Sequence, residues 1–250
     1  MPLLPNLSLT ELVLIVGLAA FSGIAGGVAG YGTGALMPLV LVPIVGAAPV
    51  VPIIAVSAMF TNTARIMAFR RLLNVRRAVI ALVAALPTCA LGAWLYTLLT
   101  GRGAALVIGT TLIATVPLRR VLRNRGHHLG EKGFAAASVG WGVVVGGTTG
   151  AGVILLSLLM ATGLEGGAVI ATDAAVSVVM GVIKISVFAL AGVFTPLVLT
   201  IGALIGAIGF FTTFIAKLIV ERLPVHVHTA MLDVVVIVGG TVMIFGALRP

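Results

Sequence analysis

Charge is what this sequence has least of. Acidic and basic side chains together make up 8% of its 250 residues, against 60% hydrophobic ones. Soluble domains carry roughly a quarter charged residues. A chain this long could not hide so much apolar surface from water, so lipid must solvate part of it. Cysteine is nearly missing as well. Cys89 is the single one, inside an apolar run, which excludes a disulfide framework within the chain. There is no H-E-x-x-H, no Cys/His ligand spacing and no Ser/His/Asp set, so metal chemistry and nucleophilic catalysis have no support. A phosphate-binding G-x-x-x-x-G-K-S is absent too, so this chain is not expected to hydrolyse ATP. These gaps point away from an enzyme, and no cofactor is expected. The N-terminal MPLLPNLSLTE lacks a positive n-region, and no A-x-A-like cleavage site follows it. It reads as the start of a retained first helix.

What is present is apolar sequence, glycine and a patterned scatter of arginine. The 32 glycines suit membrane helices, which use small residues to approach closely. The net charge of +9 does not signal nucleic-acid binding. Nine of the fifteen basic residues lie in two short loops, 70–77 (RRLLNVRR) and 119–132 (RRVLRNRGHHLGEK), with no aromatic residues between them. Basic loops between apolar segments face the cytoplasm by the positive-inside rule.

Apolar segments run over 8–30, 34–46, 49–69, 78–99, 103–118, 134–147, 151–162, 168–191, 196–217 and 229–248. A helix needs about 20 residues to cross the hydrocarbon. Several segments reach that length, but 34–46, which follows one glycine-rich break, and 134–147 and 151–162, which flank another, fall short. The breaks are GYGTG at 30–34 and GGTTGAG at 146–152. They belong to an internal repeat: GTGALMPLVL at 32–41 aligns with GAGVILLSLL at 150–159, an offset of 118. The expectation is an all-α integral membrane protein, one transmembrane domain over 1–250. Repeat 1 spans 8–121 and repeat 2 spans 132–248, joined by the basic loop 119–132. Each repeat opens with a glycine-broken helix followed by three full ones. If each broken segment crosses once, the halves run parallel; if each folds back as a re-entrant hairpin, they are inverted. Loop charge does not decide between these, although two hairpins entering from opposite faces would meet at the midplane.

Short, glycine-interrupted segments at matching places are the sequence's best pointer to a transport site. Non-helical backbone within a membrane must be buried in protein or line a water-filled cavity. The helix that restarts after a break has unpaired N–H groups and a positive dipole end, which attract an anion. The candidate site therefore comprises Gly30, Tyr31, Gly32, Thr33 and Gly34 at the first break, and Thr148, Thr149, Gly150 and Gly152 at the second. Tight helix packing at small residues is the structural alternative. Charge inside an apolar segment is also expensive and usually faces the bundle interior. Asp173 and Lys184 lie in such a segment. With Ser177 and Met180 they fall on one helix face, about 16 Å apart at 1.5 Å per residue. Asp173 reads as a counter-ion, a proton site or a hydrogen-bonding anchor. Lys184 reads equally as a substrate ligand or a snorkelling side chain. Asn62 is a binding candidate or an interhelical hydrogen-bonding group. Arg65, just ahead of the Arg70 cluster, reads as an interfacial anchor.

The stretches FSGIAGGVAGYGTGALMPLVL (21–41), WGVVVGGTTGAGVILLSLLM (141–160) and ATDAAVSVVMGVIKISVFALAGVF (171–194) resemble the TauE/SafE family of sulfite exporters. So does the duplicated plan with a central basic loop. The family has a denser glycine run where Tyr31 and Thr33 stand here, a departure that bears on substrate rather than fold. The resemblance implies movement of sulfite, organosulfonates or related sulfur-containing anions across a bacterial inner membrane. The expected partners are a small anion, the lipid bilayer and a coupling ion, proton or sodium, with a homodimer left open and nucleic acid excluded. The competing readings are a passive anion channel, a carrier of small carboxylates and, least supported, a membrane enzyme.

Overall fold

The computed structural model describes residues 7–29, 32–124, 129–220 and 225–248. Among the described residues ten α-helices follow one another: α1 (Leu9–Ala29), α2 (Thr33–Val45), α3 (Val50–Phe69), α4 (Val75–Thr97), α5 (Gly101–Asn124), α6 (Glu131–Gly147), α7 (Gly152–Ala161), α8 (Gly166–Leu190), α9 (Pro196–Val220) and α10 (Val225–Leu248). There is no strand among the described residues. Six of the described stretches, in α1, α3, α4, α5, α8 and α9, are long and apolar enough to cross a membrane. The protein is a multi-pass, all-helical membrane protein.

Local sequence sets the helix ends. Ser8 and Glu11 form a reciprocal capping box, Ser8 N–H donating to Glu11 Oε2 at 2.7 Å and Glu11 N–H to Ser8 Oγ at 3.2 Å. Asn74 caps α4 by accepting from Arg77 N–H at 3.0 Å. Inside the helices, serine and threonine hydroxyls donate to carbonyls one turn back, as Ser57 to Ile54 at 3.0 Å and Ser138 to Phe134 at 2.8 Å. That satisfies them where water cannot.

The two glycine breaks are reversals, not kinks. Leu129 N–H, just before α6, donates to the carbonyl of Ala161 at the end of α7, at 3.0 Å. The α6–α7 pair is therefore a hairpin with both ends at one face. Trp141 Nε1–H on α6 staples it by donating to Ala151 O at 2.9 Å. The α1–α2 pair doubles back likewise. Gly32 sits against Ser22 and Gly26, well before the end of α1. The turn after α2 is then pinned at the opposite face, where Tyr96 Oη, at the end of α4, donates to the carbonyls of Ala47 and Ala48. Although α1 has the length of a span, α2 brings the chain back.

Helix directions follow from which residues touch. Arg65 meets Asp173, Met59 meets Gly181 and Phe69 meets Gly167, so α3 and α8 are antiparallel. So are α5 and α10, where Gly109 faces Met243 and Ile113 faces Gly240. The tightest contacts cross between the halves of the chain. A side chain at Gly142 or Gly146 of α6 would strike Thr88 or the Cys89 carbonyl of α4. One at Gly23 or Gly27 of α1 would strike Thr212 or Ala216 of α9. Both pairs run parallel. Thr88 Oγ1 donates to the Val139 carbonyl at 2.9 Å, hydrogen-bonding α4 to α6.

Candidate functional site

The hairpin tips meet. Thr149 Oγ1–H, in the second break, donates to the Gly34 carbonyl at the start of α2, at 2.7 Å. Gly150 takes φ +81°, a left-handed conformation that strains any residue with a side chain. Beside this junction lies a cavity of about 130 Å³. A water needs some 10–15 Å³ of such space, so there is room for a small polyatomic ion with residual water.

Eleven of the thirteen candidate residues line the cavity: Gly32, Thr33, Gly34, Asn62, Thr148, Thr149, Gly150, Gly152, Asp173, Ser177 and Lys184. Gly30 and Tyr31 lie outside the described residues. Neither α2 nor α7 has a side-chain N-cap; their cap positions are Gly32 and Ala151. The leading N–H groups of a helix have no partner inside it. Two helix starts, each worth roughly half a positive charge, thus open on one cavity from opposite sides.

Three charges complete the lining. Lys184 does not snorkel. It is 8% exposed, and its Nζ donates to the carbonyls of Val145 at 2.8 Å and Thr148 at 3.0 Å. These are carbonyls at the C-terminal end of α6, where a cation satisfies orphan acceptors and the negative dipole end. Arg65 is not an interfacial anchor either. It is buried, donates to Asn62 Oδ1, and places Nη2 3.1 Å from Asp173 Oδ2. Proximity to the Arg70 cluster misled the sequence reading, because depth along a helix does not reveal which face is covered. Asn62, for its part, accepts from its own helix rather than bridging to another. Asp173 is 1% exposed, and among the described residues neither of its oxygens accepts a hydrogen bond. The guanidinium is near enough for charge attraction without hydrogen-bond geometry.

Several lining residues carried no sequence signal. Thr213 of α9 and Gly23 and Gly26 of α1 line the cavity, and only the packing of α1 on α9 brings them there. The face of α8 was legible: Asp173, Ser177, Met180 and Lys184 all reach the cavity, as their spacing requires. Among the described residues no group of three His, Cys, Asp or Glu side chains converges.

Chemically, the space offers two helix starts, two cations, one carboxylate and a rim of hydroxyls. With Asp173 ionised, its side chains sum to one positive charge, before the helix dipoles are counted. A family model described as "Sulfite exporter TauE/SafE" matches residues 14–243. No curated protein and no solved structure matches the chain.

Proposed function

The chain belongs to the TauE/SafE family, and from that premise we propose that it is a secondary transporter for small sulfur-containing anions, sulfite or short organosulfonates, working by alternating access. One observation carries the reading: two helix starts without side-chain caps open on one cavity from opposing hairpins. Uncapped N–H groups in a water-poor space have their strongest use in binding an anion. Arg65 adds a planar donor suited to a sulfonate or sulfite oxygen pair. The 130 Å³ volume favours an anion of few heavy atoms.

In this reading 8–121 and 132–248 are inverted repeats. Support comes from the antiparallel pairing of α3 with α8 and α5 with α10, helices in matching places of the two halves. The reciprocal crossing of α4 with α6 and α1 with α9 agrees. The face carrying loop 70–77 and the start of α6 is cytoplasmic, by its arginines. The membrane is then a bacterial inner membrane.

Proteoliposomes test the function directly. The protein should show saturable uptake of labelled sulfite, accelerated by unlabelled sulfite on the far side. Gly32→Leu would strike the Ser22 carbonyl and Gly26, and Gly150→Leu would combine backbone strain with a clash at Leu112. Each should abolish that flux while the protein still inserts. Flux without saturation or counterflow would mean a channel. Saturable flux of acetate or malonate but not of sulfite would mean a carboxylate carrier. Unchanged flux in both leucine variants would remove the hairpin tips from the site.

A further inference from the structure

The anion-carrier reading leaves one group without a task. Asp173 brings a negative charge into a cavity otherwise built for anions. Burying a carboxylate whose oxygens accept no hydrogen bond is unfavourable, and an intramembrane carboxylate at such a place is a functional group by default. Its surroundings limit what that function is. Of the elements packed on α8, α3 presents Arg65 to it at 3.1 Å. The segment 152–161 of α7 contains no titratable residue. Arg76 and Arg77 at the start of α4 are engaged with Glu131, at 2.9 and 3.6 Å. Arg70 and Arg71 are exposed on the turn after α3, and Glu165 is exposed at the cap of α8. Lys184, three turns along the same helix, is spent on the carbonyls of α6. Among the described residues, Arg65 is the charge that faces Asp173.

An anion entering the cavity is drawn to the same guanidinium. Asp173 then stands in for the substrate when the site is empty and competes with it when the site is filled. Both anions around one arginine repel each other in a space of low dielectric. Neutralising one of them removes the conflict.

We propose that Asp173 is the coupling-proton site of this carrier, and that substrate and proton bind together through exchange at Arg65. On loading, a proton from water at one face binds an Asp173 oxygen, and the guanidinium turns from the carboxylate to the anion. On release at the other face, the anion leaves, the proton returns to water, and Asp173 recovers Arg65. The empty carrier thus reorients with its internal ion pair closed, and the loaded one with a neutral Asp173. Anion without proton, or proton without anion, leaves a buried charge unmatched. The side-chain hydroxyls are neutral and play no part in that count.

This rests on the anion-carrier reading, and the experiment separates the two. Sulfite is used in proteoliposomes with the membrane potential clamped at zero. Two quantities are read: isotope exchange with equal sulfite on both sides, and net accumulation driven by a pH gradient. The unaltered protein should do both, a gradient of one pH unit giving up to about tenfold accumulation when one proton moves with each anion. Asp173→Asn should keep exchange but accumulate nothing beyond equal concentrations. Accumulation by trapping of a weak acid would persist in that variant, which makes the variant its own control. Accumulation equal to that of the unaltered protein, or loss of exchange together with accumulation in a folded variant, overturns the proton role. If Asp173→Asn does not fold, exchange by the unaltered protein without accumulation driven by the pH gradient still overturns it. Absence of exchange in the unaltered protein overturns the anion reading itself.

Discussion

Arg65 serves two groups at once, an amide on its own helix and a carboxylate on another. Breaking a buried ion pair costs more than the pair contributes, because the survivor is left charged and uncompensated, typically about 3–5 kcal/mol. Arg65→Met should therefore lower the unfolding temperature in detergent sharply. The double variant Arg65→Met, Asp173→Met should recover most of that loss, yet transport nothing. An Arg65→Met protein as stable as the parent would show that the pair carries no such stress. Lys184→Met should also destabilise, by about 1–3 kcal/mol, since it strands two buried carbonyls. At this scale the sequence was informative about Asp173 and Lys184, because charge within a long apolar run is conspicuous. It was misleading about Arg65. An arginine one turn ahead of an arginine cluster has the same local signature whether it reaches the headgroups or a carboxylate. The deciding partner sits more than a hundred residues away, on α8.

Helices α4 and α6 approach so closely that glycine is a steric requirement. Gly142 would bring a methyl group onto Thr88 and the Ala85 carbonyl, whereas Gly140, two residues earlier on α6, faces open space. Matched alanine substitutions give a direct comparison. Gly142→Ala should destabilise by about 1–3 kcal/mol through overpacking. Gly140→Ala should be neutral or stabilising by up to about 1 kcal/mol through helix propensity. Thermal unfolding of the two variants side by side checks this, and equal behaviour would contradict the close contact. Sequence located every helix and found both breaks, because hydrophobic runs and glycine clusters are local features, although the run ending at 118 stops short of the end of α5 at Asn124. It left their sense open. Whether a glycine break is a kink or a reversal depends on contacts such as Leu129 with Ala161 and Gly32 with Ser22. The start of α10 shows the same limit. The apolar run begins at 229, but the helix begins at Val225.

At the scale of the molecule, α9 packs on both α1 and α3, and α4 packs on both α6 and α8, giving two groups of helices. Each group draws helices from both halves of the chain. The groups meet where α3 faces α8, at Arg65 with Asp173 and at Met59 with Gly181. Alternating access requires them to move past each other there. In a Cys89→Ser background, the pair Met59→Cys, Gly181→Cys should oxidise to a disulfide that stops transport, with activity returning on reduction. Undiminished flux with the disulfide formed would place the motion elsewhere. None of this grouping was legible in the sequence, whose repeats suggest halves divided near the central loop. Nearest neighbours across that division are a tertiary property.

The crossing of α1 with α9 also bears on how the protein is made. Helix α1 finds its tightest partner, α9, only after the seven helices between them have been synthesised. Until then Gly23 and Gly27 present a bare groove to lipid or to other helices. Long-range pairing of this kind is slow and leaves intermediates open to wrong partners. Translation arrested before Pro196 should accordingly yield an inserted but protease-sensitive chain, with the first hairpin unsecured. The close fit that shapes the finished cavity thus makes the nascent protein dependent on protection within the membrane until α9 arrives.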